Sequence, residues 1–155
     1  MKYKRLENNE LKELEKEFIH FLASAQITGL DWEKMKIKEA EKAEELINVF
    51  SDLVYEKVMN KIMYLEYRDN RSLNIFHFMN DKIVLIGLRV KDNNMMDLFA
   101  DNVFEQWNQS SANAVNIIKT EKGYSKDRGL EAFELIQTGC FITDDKLFKV
   151  INGML

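Results

Sequence analysis

The chain has 155 residues, of which 46% are hydrophobic and 31% charged, a composition that is typical of a globular protein and excludes a disordered or fibrous one. Its net charge of −4 gives no electrostatic reason for general affinity for nucleic acid. The length predicts one domain over residues 1–155. With no apolar run near the roughly 20 residues that cross a bilayer and no signal-peptide pattern, the expected location is the cytoplasm, without membrane contact.

The first predicted helix lies near the N-terminus. Apolar residues recur at three- and four-residue spacing over residues 11–22, with charged residues between them, and this pattern predicts an amphipathic helix. Asn8 and Asn9 precede the pattern and are the candidates for its N-cap. A short polar side chain there can accept a hydrogen bond from the unpaired N–H groups of the first turn.

Two further helices are predicted before the first strand. Thr28 followed by Asp31 resembles a capping box, which would open a helix that carries Trp32 and Met35. A continuous apolar stripe then predicts a long helix over about residues 39–60. No proline or glycine lies between the two patterns, so the sequence leaves open whether these helices are separate or continuous.

Residues 62–90 are predicted to form a three-stranded antiparallel meander. Turn signals at residues 68–71 and 80–81 separate runs rich in Ile, Val, Phe, Tyr and Leu. Alternation puts Phe76 and Phe78 on one face and other apolar residues on the opposite face, so both faces are apolar. A sheet with one solvated face would alternate with polar residues. Either helices cover both faces, or one face binds another subunit or a partner.

The second half of the chain adds one strand and more helices. Helical spacing predicts a helix over residues 96–107, and residues 114–118 predict a fourth strand. Two helices follow, with Ser125 and Thr143 as their N-caps and Gly153 at the end of the last. The predicted fold class is α+β: an antiparallel sheet of about four strands, the meander plus one later strand, packed with N-terminal and C-terminal helices.

The residues that most enzyme classes require are absent or isolated in this sequence. No glycine-rich phosphate-binding pattern follows a strand. Glu17 and His20 have the spacing of di-iron bundle ligands, but the second copy that such a site needs is missing. The lone Cys140 is expected to be a buried apolar side chain. We therefore predict no cofactor, no metal site and no catalytic residue, and favour a protein that is not an enzyme.

Three sets of residues are candidate sites. Aromatic residues of the first two strands are the candidate partner-binding set: Tyr64, Tyr67, Phe76 and Phe78. Basic residues near the N-terminus are the candidate nucleic-acid-binding set: Lys2, Lys4 and Arg5. A strand histidine and the polar residues at a helix start form a candidate polar site: His77, Tyr124, Ser125, Asp127 and Arg128.

Several segments of the chain resemble those of a known family. They are MKYKRL at residues 1–6, FSDLVYE at 50–56, YLE at 64–66 and YSKDR at 124–128. Over nearly its full length the chain resembles an uncharacterised family of small bacterial cytoplasmic proteins, a domain of unknown function. The resemblance implies a self-contained domain and carries over no catalytic residue.

The sequence favours a non-enzymatic cytoplasmic protein-interaction or adaptor domain, whose partner is another protein or a second copy of itself. This hypothesis rests on the missing catalytic constellation, the two apolar sheet faces and the charged helix surfaces. One alternative is an RNA- or ribosome-associated factor that uses the basic N-terminal residues. The other is a small-molecule-binding protein or enzyme that uses His77 or the polar corner at residues 124–128.

Overall fold

A computed structural model describes residues 1–91, 97–98, 101–102, 105 and 115–155. The chain divides into two compact units, Met1–Val58 and Met59–Leu155. The helix predicted over residues 96–107 lies largely outside the described residues. The single domain stays a prediction, because a division into two packing units does not show whether they unfold separately or together.

The helices of the N-terminal part are α1 (Asn8–Glu13), α2 (Glu15–Ser24), α3 (Gly29–Lys38) and α4 (Ala40–Met59). The prediction of a single first helix is wrong, because the backbone of Leu14 leaves the helical conformation, with φ −101° and ψ 21°. The predicted caps Asn8 and Asn9 lie inside α1. The N-cap is Glu7, whose backbone N–H donates to Glu10 Oε2 over 2.7 Å.

The predicted capping box opens α3. Thr28 Oγ1 accepts a hydrogen bond from the Asp31 backbone N–H over 3.1 Å, and Asp31 Oδ2 accepts one from the Thr28 N–H over 3.0 Å. Glu39 separates α3 from α4, because its φ of −134° and ψ of 54° are not helical. The sequence left open whether the two helices are continuous, and the structure shows that they are separate.

The second unit is built on an antiparallel sheet. Its strands are β1 (Tyr64–Arg68), β2 (Ser72–Phe78), β3 (Lys82–Val90), β4 (Val115–Gly123) and β5 (Phe141–Ile142), in the order β4-β3-β2-β1-β5. The predicted meander and the α+β class are confirmed. The described sheet has five strands instead of about four, because the two-residue β5 pairs with the outer edge of β1.

The last two helices are α5 (Arg128–Gln137) and α6 (Lys146–Asn152). Their N-caps are Asp127 and Asp145, so the predicted caps Ser125 and Thr143 are wrong. Asp127 Oδ1 accepts hydrogen bonds from two backbone N–H groups at the start of α5. Gly153 is the C-cap of α6, as predicted.

Helices of the second unit pack against both faces of the sheet. On one face the buried side chains of β2 and β3 form a cluster that Ile151 of α6 completes. On the other face Ile83 and the half-buried Phe76 lie beside Leu135 of α5. This packing favours the first sequence alternative, in which helices cover both apolar faces. No helix among the described residues combines the length and the apolar character that crossing a membrane requires.

Candidate functional site

The basic N-terminal residues lie against acidic residues of α4. Lys2 Nζ donates to Glu56 Oε2 over 2.6 Å, and the Arg5 guanidinium pairs with the Glu44 carboxylate. Lys4 lies over the Tyr55 ring, 5.8 Å from its centroid. Much of the positive charge predicted to bind nucleic acid is therefore engaged within the first unit.

The four strand aromatics are distributed over both sides of the sheet. Phe78 is fully buried, and Phe76 is half-buried beside α5. Tyr64 stacks on His77 with ring centroids 4.4 Å apart, while Tyr67 is exposed beside Gly139. They do not form one exposed aromatic face, so the structure brings no shared partner-binding platform together from this set.

Arg128 binds backbone carbonyl oxygens around the start of β1 and the end of β2. Its Nη2 donates to Ile62 O over 2.6 Å and to Phe78 O over 3.0 Å. Its Nη1 donates to Asn60 O over 3.2 Å, and its Nε to Met79 O over 3.3 Å. The guanidinium therefore links the segment that leads into β1 with the turn that follows β2, and its donors are directed into the protein.

The other residues of the predicted polar corner also bind within the chain. The Tyr124 hydroxyl donates to Met79 O over 2.6 Å. The Ser125 backbone N–H donates to Glu131 Oε1 over 2.7 Å, and Asp127 caps α5. The corner that the sequence offered as a polar site is thus a set of structural contacts between a loop and its neighbours.

Glu131 is the centre of this corner, and sequence reasoning missed it. Its side chain is 6% exposed, and Lys122 Nζ donates to its Oε2 over 2.6 Å. Burial alone would raise the pKa of its carboxyl, but the hydrogen bonds from Lys122 and from the Ser125 and Lys126 backbone outweigh burial and lower that pKa to about 2. A carboxylate held ionised in this way is a structural anchor and a poor proton donor.

His77 packs between two aromatic rings on the face covered by α6. It stacks on Tyr64, and the Phe148 ring meets it edge-on with centroids 5.2 Å apart. Burial, and then the positive charge of Arg128, lower the pKa of His77 below its ordinary value of 6.5. The imidazole is therefore mainly neutral at pH 7.

We expect His77 to titrate below pH 6.5 when its ring signals are followed by NMR, with a His20→Gln variant to assign the two histidines. Since protonation is favoured in the unfolded chain, the contribution of His77 to stability is present above pH 6.5 and is lost as the pH falls through its folded pKa. A titration midpoint of His77 above pH 6.5 would contradict this interpretation and would support His77 as a proton-binding residue of a site.

Neither a metal site nor a reactive thiol is present in the described part of the chain. No group of three potential metal ligands comes together among those residues. Cys140 is buried, and its burial raises the pKa of the thiol, which keeps it in the unreactive protonated form. Glu17 and His20 are both exposed on α2.

An apolar groove lies between α2 and α3 in the first unit. Phe18 and Leu22 of α2 form one wall and Trp32 of α3 the other, around a cavity of about 380 Å³. Phe18 fixes the arrangement, because its ring meets the Trp32 ring edge-on at 5.2 Å and packs on the Phe50 ring of α4 at 5.0 Å. A larger depression of about 580 Å³ at the start of α4 is lined mainly by charged side chains.

Large apolar side chains in the groove and beside it are exposed to water: Ile19 lines the groove, and Leu30 and Ile37 lie next to it. Leu30 and Ile37 of α3 are 76% and 83% exposed, and Ile19 of α2 is 54% exposed. Leu30 and Ile37 are seven residues apart, so they lie on the same side of the helix, with Glu33 of the groove wall close to that line. We call the groove together with Ile19, Leu30 and Ile37 the α2–α3 surface.

The sequence contained one signal for this surface. Leu30 and Ile37 share a helical side that differs from the side of Trp32 and Met35, so α3 carries apolar residues in two directions. A helix that packs on one neighbour needs only one of them. The sequence could not show which side faced the protein, and the structure assigns Trp32 and Met35 to the half-buried side.

Comparison with known proteins identifies a family but no activity. A family model described as a family of unknown function, DUF6495, matches residues 1–155, which confirms the full-length resemblance to an uncharacterised family. No curated protein and no solved structure matches the chain. The chain belongs to the DUF6495 family of unknown function.

Proposed function

We propose that this protein is a non-enzymatic protein-interaction domain and that it binds a protein segment through the α2–α3 surface. The observation that carries the proposal is the exposure of Leu30 and Ile37 beside an apolar groove. Burying one such side chain contributes about 1.5–3 kcal/mol relative to leaving it in water. Exposed apolar residues grouped next to a concave surface are typical of interaction sites.

The geometry favours an amphipathic helix as the bound segment. Grooves between helices accept a helix through apolar anchors spaced three, four or seven residues apart. The groove is open at the surface and its walls are rigid, since the rings of Phe18, Phe21, Trp32 and Phe50 pack on one another. Such a groove requires little reorganisation on binding, and this reduces the entropic cost of association.

The polar groups elsewhere support a role without catalysis. Arg128, Tyr124 and Glu131 are bound within the chain, and the His77 imidazole is stacked between rings. Glu131 lines a pocket of about 240 Å³ together with Glu134, but its carboxylate accepts hydrogen bonds from Lys122 and from backbone N–H groups, which keep it ionised. The proposal of an adaptor-type protein rests on this combination of an apolar surface with internally paired polar residues.

The test is capture of partners from native lysate by the tagged protein, with nuclease treatment. We expect a protein partner that survives nuclease, either a different protein or the untagged copy of this chain, and that is lost when Leu30→Lys and Ile37→Lys are combined. Leu53→Lys is the matched control, because Leu53 is 53% exposed on α4 and lies outside the α2–α3 surface.

Other results of the same capture would contradict the proposal. Ribosomal or RNA-bound components that disappear with nuclease would support the RNA-associated alternative, which would also require Lys2, Lys4 and Arg5. An eluate without protein or RNA, from a chain that is also monomeric in solution, would leave the small-molecule or enzyme alternative. A protein partner that is retained by the double variant would place the interaction on another surface.

A further inference from the structure

Building on the proposed function, we infer that the segment bound by the α2–α3 surface is helix α3 of a second copy of this chain. Each copy places Leu30 and Ile37 in the groove of the other, and the contact occurs twice across a two-fold axis. In such a symmetric interface the same patch contacts itself, so every exposed residue of the patch is covered in both copies.

The apolar parts of the surface complement one another. Leu30 and Ile37 are separated by two helical turns, about 10 Å along the helix axis. The groove is lined by Phe18, Leu22 and Trp32 and by the exposed Ile19. Leu30 and Ile37 of one copy therefore contact the apolar side chains that line the groove of the other, as apolar side chains do between the helices of antiparallel bundles.

The charges on the surface also complement one another. Lys34 lies between Leu30 and Ile37 on the exposed side of α3, and Glu15 lies one turn before Ile19 on the wall of the groove. The other charged residues of the groove, Glu33 and Lys36, bind each other over 2.9 Å. Lys34 entering the groove of a second copy therefore meets Glu15, and the symmetric contact forms this pair twice.

With a second copy as the partner, the chain itself supplies both parts of the contact: the exposed side of α3 and the groove. The spacing of the apolar anchors on α3 and its lysine both match the groove. The groove itself lies on the adjacent side of the same pair of helices. A contact made by two helices from each copy is smaller than that of an obligate dimer. The dimer is accordingly expected to dissociate on dilution.

The experiment is sedimentation velocity on the full chain from about 1 µM to about 1 mM, a range that brackets weak dimers. We expect a concentration-dependent dimer and, for Ile37→Lys, a dissociation constant raised about 30-fold or more, the effect of one interface hot spot. Leu53→Lys should dimerise like the wild type. Far-UV circular dichroism checks that each variant is folded.

A charge exchange tests the orientation of the two copies. Lys34→Glu and Glu15→Lys should each weaken the dimer, and the variant that carries both changes should recover affinity, because the pair is re-formed with reversed signs. A wild type that stays monomeric up to about 1 mM would overturn the inference. So would a dimer that Ile37→Lys leaves intact, or a double variant that recovers nothing.

Failure of the inference and failure of the proposed function give different results. A monomeric protein that still captures a different protein through Leu30 and Ile37 would overturn self-association and leave the interaction function in place. A monomeric protein that captures no protein in the lysate experiment would overturn both.

Discussion

Replacement of Arg128 by methionine is expected to lower the free energy of unfolding by about 3 kcal/mol or more. Methionine keeps an unbranched apolar side chain but removes the donors that bind Ile62 O, Phe78 O and Asn60 O. Hydrogen bonds from a charged group contribute about 1.5–3 kcal/mol, and carbonyl groups left without a donor add a desolvation cost. Urea denaturation at pH 7, followed by fluorescence of the two tryptophans and by circular dichroism, measures the change.

Two companion variants show whether the donor geometry of Arg128 is the cause. Arg128→Lys keeps the charge but lacks the planar fork of donors, so its stability should lie between those of methionine and the wild type. Lys126→Met removes the exposed pair between Lys126 and Glu134 and should change stability by less than about 1 kcal/mol. An Arg128→Met protein within about 0.5 kcal/mol of the wild type would mean that the observed bonds add nothing net.

Glu131→Gln is expected to lower stability at pH 7 by up to about 3 kcal/mol, and the difference should disappear in acid. The pKa of Glu131 is about 2 in the folded chain against an ordinary 4.5, and each unit corresponds to about 1.4 kcal/mol. Because the folded pKa is the lower one, the contribution is fully present above pH 4.5 and is lost as the pH falls towards 2.

Unfolding curves of the wild type and Glu131→Gln at several pH values between 7 and 2.5 test this linkage. The two stabilities should converge as the pH falls, because the wild type loses its ionised carboxylate. Glu134→Gln is the control, since Glu134 is on the same helix but exposed. A difference between Glu131→Gln and the wild type that is independent of pH would assign the effect to packing instead of charge.

Local signals explain why most elements could be predicted from the sequence. The turn between β1 and β2 forms because the Asp69 carboxylate accepts hydrogen bonds from the Arg71 and Ser72 backbone N–H groups, at 2.8 and 2.7 Å. The Thr28 and Asp31 capping box acts over four residues. Where the deciding contacts lie within one turn of chain, the sequence pattern predicted the structure.

The errors occurred where residues compete or where the partner is distant. Ser125 and Asp127 are both good caps, and Asp127 caps α5 while Ser125 binds Glu131. β5 is only two residues long and is a strand because β1 lies beside it. The carbonyl partners of Arg128 come from segments far away in sequence. The local sequence pattern determines neither this cap, nor this strand, nor these carbonyl contacts.

The candidate site was less predictable than the fold. The sequence pointed to the aromatic strand residues and the polar corner, and the structure places most of these in the core or in internal hydrogen bonds. The α2–α3 surface depends on which side of α3 faces inward. Spacing identifies the two apolar sides but not the one that remains exposed, because that is decided by packing of Trp32 against α2.

The order of the strands also has a consequence for how the sheet is assembled. β1, β2 and β3 are joined by short connections and pair with one another. The outer edge of β1 stays unpaired until β5, which comes much later in the chain, has been made. Closing that long segment costs more entropy than closing a hairpin. Until β5 arrives, Leu65 and Glu66 present open backbone groups, and an open strand edge can pair with a neighbouring chain. During synthesis, intermolecular pairing at the β1 edge therefore competes with completion of the fold.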